Sequence, residues 1–298
     1  MGFGNWDDNS RAFYSSTSVQ ALNADTPRDY FKAIDIDPYL DPMNIVVRES
    51  CDSEFNPLSN AIMIGLDVTG SMGDIAHQLA KDGLGKLIEG ILEKKPVTDP
   101  HILFAAIGDV RTDRAPLQVS QFETDLKMVE QLNKIYVEGN GGGNDTESYD
   151  LLWHFAATRT KIDCFEKRNN KGYLFTVGDE MPPAGISKNN FRKVYSGEER
   201  DYTPEELLVA AQKSYHVFHL IVEQGGYARF RGNAVINQWK KMLGARAIPL
   251  NNYHYMPEVI IAAMMLSEAD ENTSYNDIIE SFENTEVKKT LRHAFVNE

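Results

Sequence analysis

Short apolar runs alternate with amphipathic stretches along the chain from Ala61 onwards. Each run is bounded by polar residues, which is typical of buried parallel strands. These runs are AIMIGLD (61–67), HILFAAIGD (101–109), KGYLFTVGD (171–179) and YHVFHLIVEQ (215–224). The segment PLQVSQF (116–122) is shorter and less apolar, so we interpret it as an edge strand.

The stretches between these runs carry apolar residues at helical spacing. The first example is the series Ile75, Leu79, Leu87, Ile88, Ile91 and Leu92. A capping box at Thr203-Pro204-Glu205-Glu206 marks the start of another helix. Further helices are predicted at 125–136, around 151–155, and at 233–243, 257–267, 275–283 and 285–296.

This alternation predicts an α/β fold with a doubly wound, Rossmann-like, mostly parallel sheet flanked by helices. Residues 1–59 are rich in polar and aromatic residues without clear periodicity, and we interpret them as an N-terminal extension. Residues 60–270 form the predicted domain, and 271–298 are predicted C-terminal helices packing on it.

Composition narrows the class of protein. The 298 residues are 42 % hydrophobic, enough for a sizeable core, and the formal net charge is −14. This charge disfavours nucleic acid and anionic membranes as partners. No apolar run approaches the roughly 20 residues of a membrane helix, and the first residues do not resemble a secretory signal. With only Cys51 and Cys164, we predict a cytoplasmic protein with free thiols.

Oxygen-bearing side chains follow the first predicted strand in the loop DVTGSMG (67–73). Asp67 ends the strand, and Thr69 and Ser71 follow at alternate positions. A tight loop can turn all three oxygens towards one point, and carboxylate and hydroxyl oxygens suit a hard cation such as Mg²⁺. A helix start capped by the same residues is the structural alternative.

Two further loops at strand ends carry similar chemistry. In GGGNDTES (141–148), Asn144, Asp145 and Thr146 can each offer an oxygen, and the sequence does not decide among them. In VGDEMPP (177–183), Asp179 ends its strand as Asp67 does and can hold a water bound to the metal. Because ligands of doubly wound sheets bind beyond the carboxyl ends of the strands, we expect the three loops to meet there.

The three loops in this order resemble the metal-ion-dependent adhesion site of von Willebrand factor A domains, of a bacterial or phage type. The resemblance covers roughly 60–268, with Thr69 in place of a serine and without the glycine expected after Asp179. It implies one bound cation, Mg²⁺ or alternatively Mn²⁺ or Ca²⁺. It further implies a protein-binding adaptor or scaffold rather than an enzyme, with an AAA+ ATPase as the first partner to test.

The mode of binding follows from charge. Asp67, together with Asp145 if that residue coordinates, neutralises the cation only in part if Asp179 acts through water, so an acidic side chain of another protein is favoured at the open position. We expect Asp67 and Ser71 to lie in a surface loop, so that replacing them spares the fold.

Two other functions stay open. DVTGS also resembles the nucleophile loop of haloacid-dehalogenase-type Mg²⁺-dependent phosphatases, with Asp67 as the nucleophile. Val68 follows the aspartate where that loop has lysine, and prolines 182 and 183 occupy its second acidic position. A scaffold role without metal is the third hypothesis. His216 and His219 are three residues apart on a predicted strand, so they point to opposite faces and do not share a metal.

Overall fold

The computed structural model describes residues 33–79, 83–124, 131–137, 145–197 and 200–296. Within these residues, strands form at the predicted apolar runs, and shorter strands form in the segments before, between and after them. The strands are β1 (Arg48–Ser50), β2 (Asn60–Asp67), β3 (Pro100–Ile107), β4 (Leu117–Val119), β5 (Thr160–Ile162), β6 (Gly172–Gly178), β7 (Tyr215–Val222) and β8 (Ala247–Leu250).

The main sheet of the described residues has the strand order β4-β3-β2-β6-β7-β8. Its neighbouring strands are parallel except for the edge strand β4, which runs antiparallel to β3. The strands β1 and β5 form a separate parallel pair. The predicted α/β class with a mostly parallel sheet is therefore confirmed.

The helices lie between the strands in sequence and pack on the sheet. They are α1 (Asp74–Gln78), α2 (Leu84–Lys94), α3 (Tyr149–Thr158), α4 (Asp163–Arg168), α5 (Lys188–Val194), α6 (Pro204–Ala211), α7 (Ala228–Leu243), α8 (Met256–Glu268), α9 (Tyr275–Glu280) and α10 (Thr285–Val296). The predicted capping box is present at the start of α6, where Thr203 and Glu206 bond reciprocally.

Each face of the sheet has its own apolar core, because side chains alternate along every strand. On β2, Ile62, Ile64 and Leu66 pack with α1, α2 and the C-terminal helices α8, α9 and α10. Ala61 and Met63 point the other way, towards α3, α5, α6 and α7. The sheet is thus flanked by helices on both faces.

Several elements went unpredicted. The strand β8 and the helices α4 and α5 are short, and β1 pairs with β5 inside a region we assigned to an irregular extension. Residues 125–130 of the predicted helix 125–136 lie outside the described residues. The domain boundaries at 60 and 270 stay predictions. Among the described residues, no helix is long and apolar enough to cross a membrane.

The topology fixes where a ligand site can form. From β2 the chain adds β3 and β4 on one side, then returns to place β6, β7 and β8 on the other side. The strand order therefore reverses between β2 and β6, the place beyond the carboxyl ends of the strands where ligands of such sheets bind. Asp67 is the last residue of β2, and Asp179 directly follows β6.

Candidate functional site

The loop after β2 folds back on the carboxylate that ends the strand. Both the backbone N–H and the hydroxyl of Thr69 donate to Oδ1 of Asp67, at 2.9 and 2.6 Å. The Thr69 and Ser71 hydroxyl oxygens are 3.3 Å apart. The three side chains thus gather on one side of the loop, as the sequence predicted.

The loop after β6 meets this group from the neighbouring strand. The hydroxyl of Ser71 donates to Oδ1 of Asp179 at 2.6 Å, while the backbone N–H of Tyr227 donates to Oδ2 at 2.7 Å. The backbone N–H of Gly226 donates to the carbonyl of Ser71 at 2.8 Å. Three loops therefore hold one another at the switch point, and the third, after β7, was not foreseen.

Two glycines allow this close approach. A Cβ on Gly178 would collide with the Tyr149 hydroxyl and approach Asp67 Oδ2 within 2.9 Å. A Cβ on Gly225 would collide with the side chain of Asp179. Any other residue at these positions would push the site apart.

Asp67 is more buried than we expected. Its side chain is 0 % exposed, and the hydroxyl of Tyr149 donates to Oδ2 at 2.9 Å. Tyr149 is itself enclosed by His219 and Trp239, which contact its ring edge-on. The expectation that Asp67 lies in a surface loop is therefore wrong, because α3 brings Tyr149 over the end of β2.

The second candidate loop is only partly brought to the site. Asn144 lies outside the described residues. Asp145 is exposed, and its backbone carbonyl accepts a hydrogen bond from Met181 N–H at 3.2 Å. The hydroxyl of Thr146 accepts a bond from the guanidinium of Arg111. Neither side chain has a hydrogen bond with Asp67 or Ser71 among those the described residues show.

The side chains that do face Asp67 are Glu147 and Glu180, which sequence analysis did not select. They are only 3 % and 5 % exposed, and Oε2 of each is buried without a hydrogen-bond partner among the described residues. The backbone carbonyl of Glu180 accepts a bond from Trp239 Nε1 at 2.8 Å, which holds this segment against α7. The polar run NDTES (144–148) predicted that this loop contributes to the site, but it did not show that Glu147 is the residue that faces inwards.

Burial and mutual repulsion shape the acid–base chemistry of these carboxyls. Burial, then the neighbouring charge of Asp179, raises the pKa of Asp67 to about 7. Burial, then Asp67, raises the pKa of Glu180 to about 8 and that of Glu147 to about 10. Burial also raises the pKa of Asp179, against the lowering effect of the Ser71 hydrogen bond.

These four residues, Asp67, Glu147, Asp179 and Glu180, form the carboxylate cluster. No lysine, arginine or histidine of the described chain makes an ion pair with any of them. Buried charges of one sign are costly unless a counter-charge compensates them. Hydroxyl and carboxylate oxygens around an uncompensated cluster are the donors that hard cations take.

A stricter pattern of metal ligands is absent. Among the described residues, no three histidine, cysteine, aspartate or glutamate side chains are already grouped so as to hold a metal ion. His216 and His219 do point to opposite faces: His216 lies beside Tyr173, and His219 stacks on Trp239 at 3.6 Å. The free thiol of Cys51 directly follows β1, and that of Cys164 lies on α4, which follows β5.

Comparison with known proteins gives no family. No family model matches the chain, and no curated protein matches it. Among solved structures, the chain is similar to the pilus adhesin SpaC from Lactobacillus rhamnosus GG in its open conformation, with 9 % identity and a TM-score of 0.41. A second crystal form of that adhesin gives 9 % identity and a TM-score of 0.39.

These alignments cover 79 % of this chain but only 31 % and 32 % of the adhesin chains, so this chain spans about a third of their length. So low a similarity carries no argument about function. We withdraw the assignment to von Willebrand factor A domains, because no family model supports it and the described residues lack a ready metal-binding group. The three-loop pattern alone does not define that family.

Proposed function

We propose that this chain binds one divalent cation, Mg²⁺ or alternatively Mn²⁺ or Ca²⁺, at the switch point and uses it to bind another protein in the cytoplasm. The observation that carries the proposal is the Ser71–Asp179 hydrogen bond of 2.6 Å, which joins the hydroxyl-bearing loop of β2 to the carboxylate of β6. Asp67, Thr69, Ser71 and Asp179 would hold the ion, and Asp145 or Thr146 would need a rearrangement to reach it.

The donor set fits a hard cation. Two hydroxyls and two carboxylates lie within one hydrogen-bonded group, and such oxygens suit Mg²⁺, which commonly keeps some of its waters. The cation would supply the positive charge that the carboxylate cluster lacks. Its role would be electrostatic, so a partner's carboxylate could complete its shell.

Because the net charge of this chain is −14, an acidic partner depends on the cation in order to bind. An acidic side chain approaching this surface is repelled unless a cation stands between the two proteins. The expectation of an AAA+ ATPase rested on the family resemblance alone. We therefore propose only that the partner contacts the cation through a carboxylate.

The first experiment measures thermal unfolding in excess chelator and then with Mg²⁺, Mn²⁺ or Ca²⁺. A cation at about 100 times its dissociation constant adds roughly 2.7 kcal/mol of stability if the unfolded chain does not bind it. We expect this gain in the wild type and in the control Asp150→Asn, but not in Asp67→Asn. Unfolding that is insensitive to every cation would refute the proposal.

The second experiment tests the partner. Immobilised wild type, Asp67→Asn and Ser71→Ala are exposed to a lysate of the source organism with Mg²⁺ or chelator. We expect a protein that is retained only by the wild type and only with Mg²⁺. Replacing its contact carboxylate by lysine should abolish retention, and a partner retained equally in chelator would exclude the cation as the contact.

A further inference from the structure

Glu147 has a property that the loop residues before it lack. Its side chain is 3 % exposed, and its Oε2 is buried with no hydrogen-bond partner among the described residues. An unpaired buried carboxyl oxygen costs free energy, so its retention requires an explanation.

The position of Glu147 in the fold explains why this unpaired carboxyl is retained. It directly precedes Ser148 and Tyr149, where α3 begins, and Tyr149 donates to Asp67 at 2.9 Å. A parallel bridge between Thr146 and Met181 sets Glu147 beside the segment of Glu180, and after burial the charges of Asp67 and then Glu180 have the largest effect on the pKa of Glu147. Glu180 brings a second buried and unpartnered oxygen to the same place.

We propose that Glu147 is the residue through which the loop before α3 contacts the cation, in place of Asn144, Asp145 or Thr146. Because the described residues do not already group three carboxylates around one point, Glu147 would act on a water of the cation. Glu180 would provide a second acceptor for such waters. This inference rests on the proposed cation site and adds the loop residue that sequence analysis left undecided.

The charge of the site changes as a result. If Glu147 ionises beside the bound cation, the carboxylate cluster carries more negative charge than one divalent cation balances, so the site favours small ions of high charge. Loss of an outer carboxylate of this kind weakens metal affinity by about 10- to 100-fold.

The experiment titrates Mn²⁺ by calorimetry and Tb³⁺ by luminescence into the full chain. We expect Glu147→Gln to weaken binding of both ions at least about ten-fold. The matched control is Glu258→Gln, since Glu258 on α8 also has a buried, unpartnered Oε2 but lies outside the carboxylate cluster. Its affinity should equal that of the wild type.

The outcomes separate this inference from the proposed function. If Glu147→Gln binds like the wild type while Asp67→Asn does not bind, Glu147 is structural and the inference is overturned, but the cation site stands. If the wild type binds neither ion, both fail. Should Glu147→Gln not fold, Glu147→Asp decides, since a shorter carboxylate with a wild-type unfolding curve weakens binding only if Glu147 contacts the cation's shell.

Discussion

The Ser71 hydroxyl and the Asp179 carboxylate, 108 positions apart in the chain, are joined by a 2.6 Å hydrogen bond. This bond connects the ends of β2 and β6, the two strands between which the order of the sheet reverses. The end of β2 is held by its own loop, through Thr69, and Asp179 after β6 is held by the loop after β7, through Tyr227. The site is therefore largely arranged before any ligand arrives, which reduces the entropy lost on binding.

The hydrogen bond from Tyr149 to Asp67 should contribute to both stability and affinity. We expect Tyr149→Phe to lower the free energy of unfolding by about 1–3 kcal/mol, because Asp67 Oδ2 loses its donor in a buried setting. We also expect weaker Mn²⁺ binding, since the carboxylate is no longer held in place. Urea unfolding and calorimetry measure the two effects.

The control for that variant is Tyr195→Phe, whose hydroxyl donates to the Leu151 carbonyl at 2.6 Å in the same layer. It should lose stability without losing cation affinity. Equal Mn²⁺ affinities of the wild type, Tyr149→Phe and Tyr195→Phe would show that Tyr149 does not position Asp67 for a metal.

Gly225 should tolerate no larger residue. In Gly225→Ala the new Cβ would collide with Asp179, so we expect displacement of this carboxylate, a lower melting temperature and lost cation response. Gly232→Ala is the matched control, because nothing lies within 4 Å of its Cβ position and alanine favours the helix α7 by up to about 1 kcal/mol. If both variants melt alike, close packing at Gly225 is not required.

Stability should depend on pH through Asp150, on the first turn of α3. Burial raises its pKa to about 7, whereas an unfolded aspartate titrates near pH 4. Between these values the folded chain holds the extra proton, so stability falls as pH rises, by up to about 1.4 kcal/mol per pH unit. Asp150→Asn should remove this component from denaturant unfolding measured between pH 4 and pH 7.

Asp52 serves as a control, because its pKa is shifted in the opposite direction. Hydrogen bonds from Arg168 and Ser59 outweigh its burial and lower its pKa to about 2, so its contribution is present above pH 4 and lost as pH falls towards 2. Asp52→Asn should leave the slope between pH 4 and pH 7 unchanged. A pH profile of Asp150→Asn parallel to the wild type over that range would contradict the assignment.

We expect no phosphatase activity. The residues around Asp67 do not fit this chemistry, because Val68 stands where the phosphatase loop has lysine and prolines 182 and 183 occupy its second acidic position. With the wild type or with Asp67→Asn present, p-nitrophenyl phosphate should be hydrolysed no faster than in protein-free buffer containing Mg²⁺. Turnover by the wild type that Asp67→Asn abolishes would instead favour the phosphatase hypothesis.

The sequence predicted the sheet well because its strands are long, apolar and bounded by polar loops. Hydrophobic patterning predicted β2, β3, β6 and β7, and the strand ends then placed Asp67 and Asp179 together. Short elements such as β8 carry too few residues for a periodic signal.

The site was predicted less completely, for reasons of local geometry. A loop has no periodicity, so the run NDTES could not show that Glu147, rather than Asp145 or Thr146, faces inwards. That orientation depends on where α3 begins and on Arg111, which bonds the Thr146 hydroxyl from the loop after β3. The burial of Asp67 likewise depends on Tyr149, 82 residues away.

The edge strand β4 has a consequence for how copies of this chain behave at high concentration. The N–H of Val119, which faces away from β3, donates to the Leu40 carbonyl at 2.8 Å, and its carbonyl accepts a bond from Arg48 at 3.2 Å. Open strand edges are templates on which a second molecule can add a strand. Here Leu40, before β1, and Arg48, the first residue of β1, occupy the bonding positions of Val119, so that a second chain could add a strand at this edge only after these residues were removed.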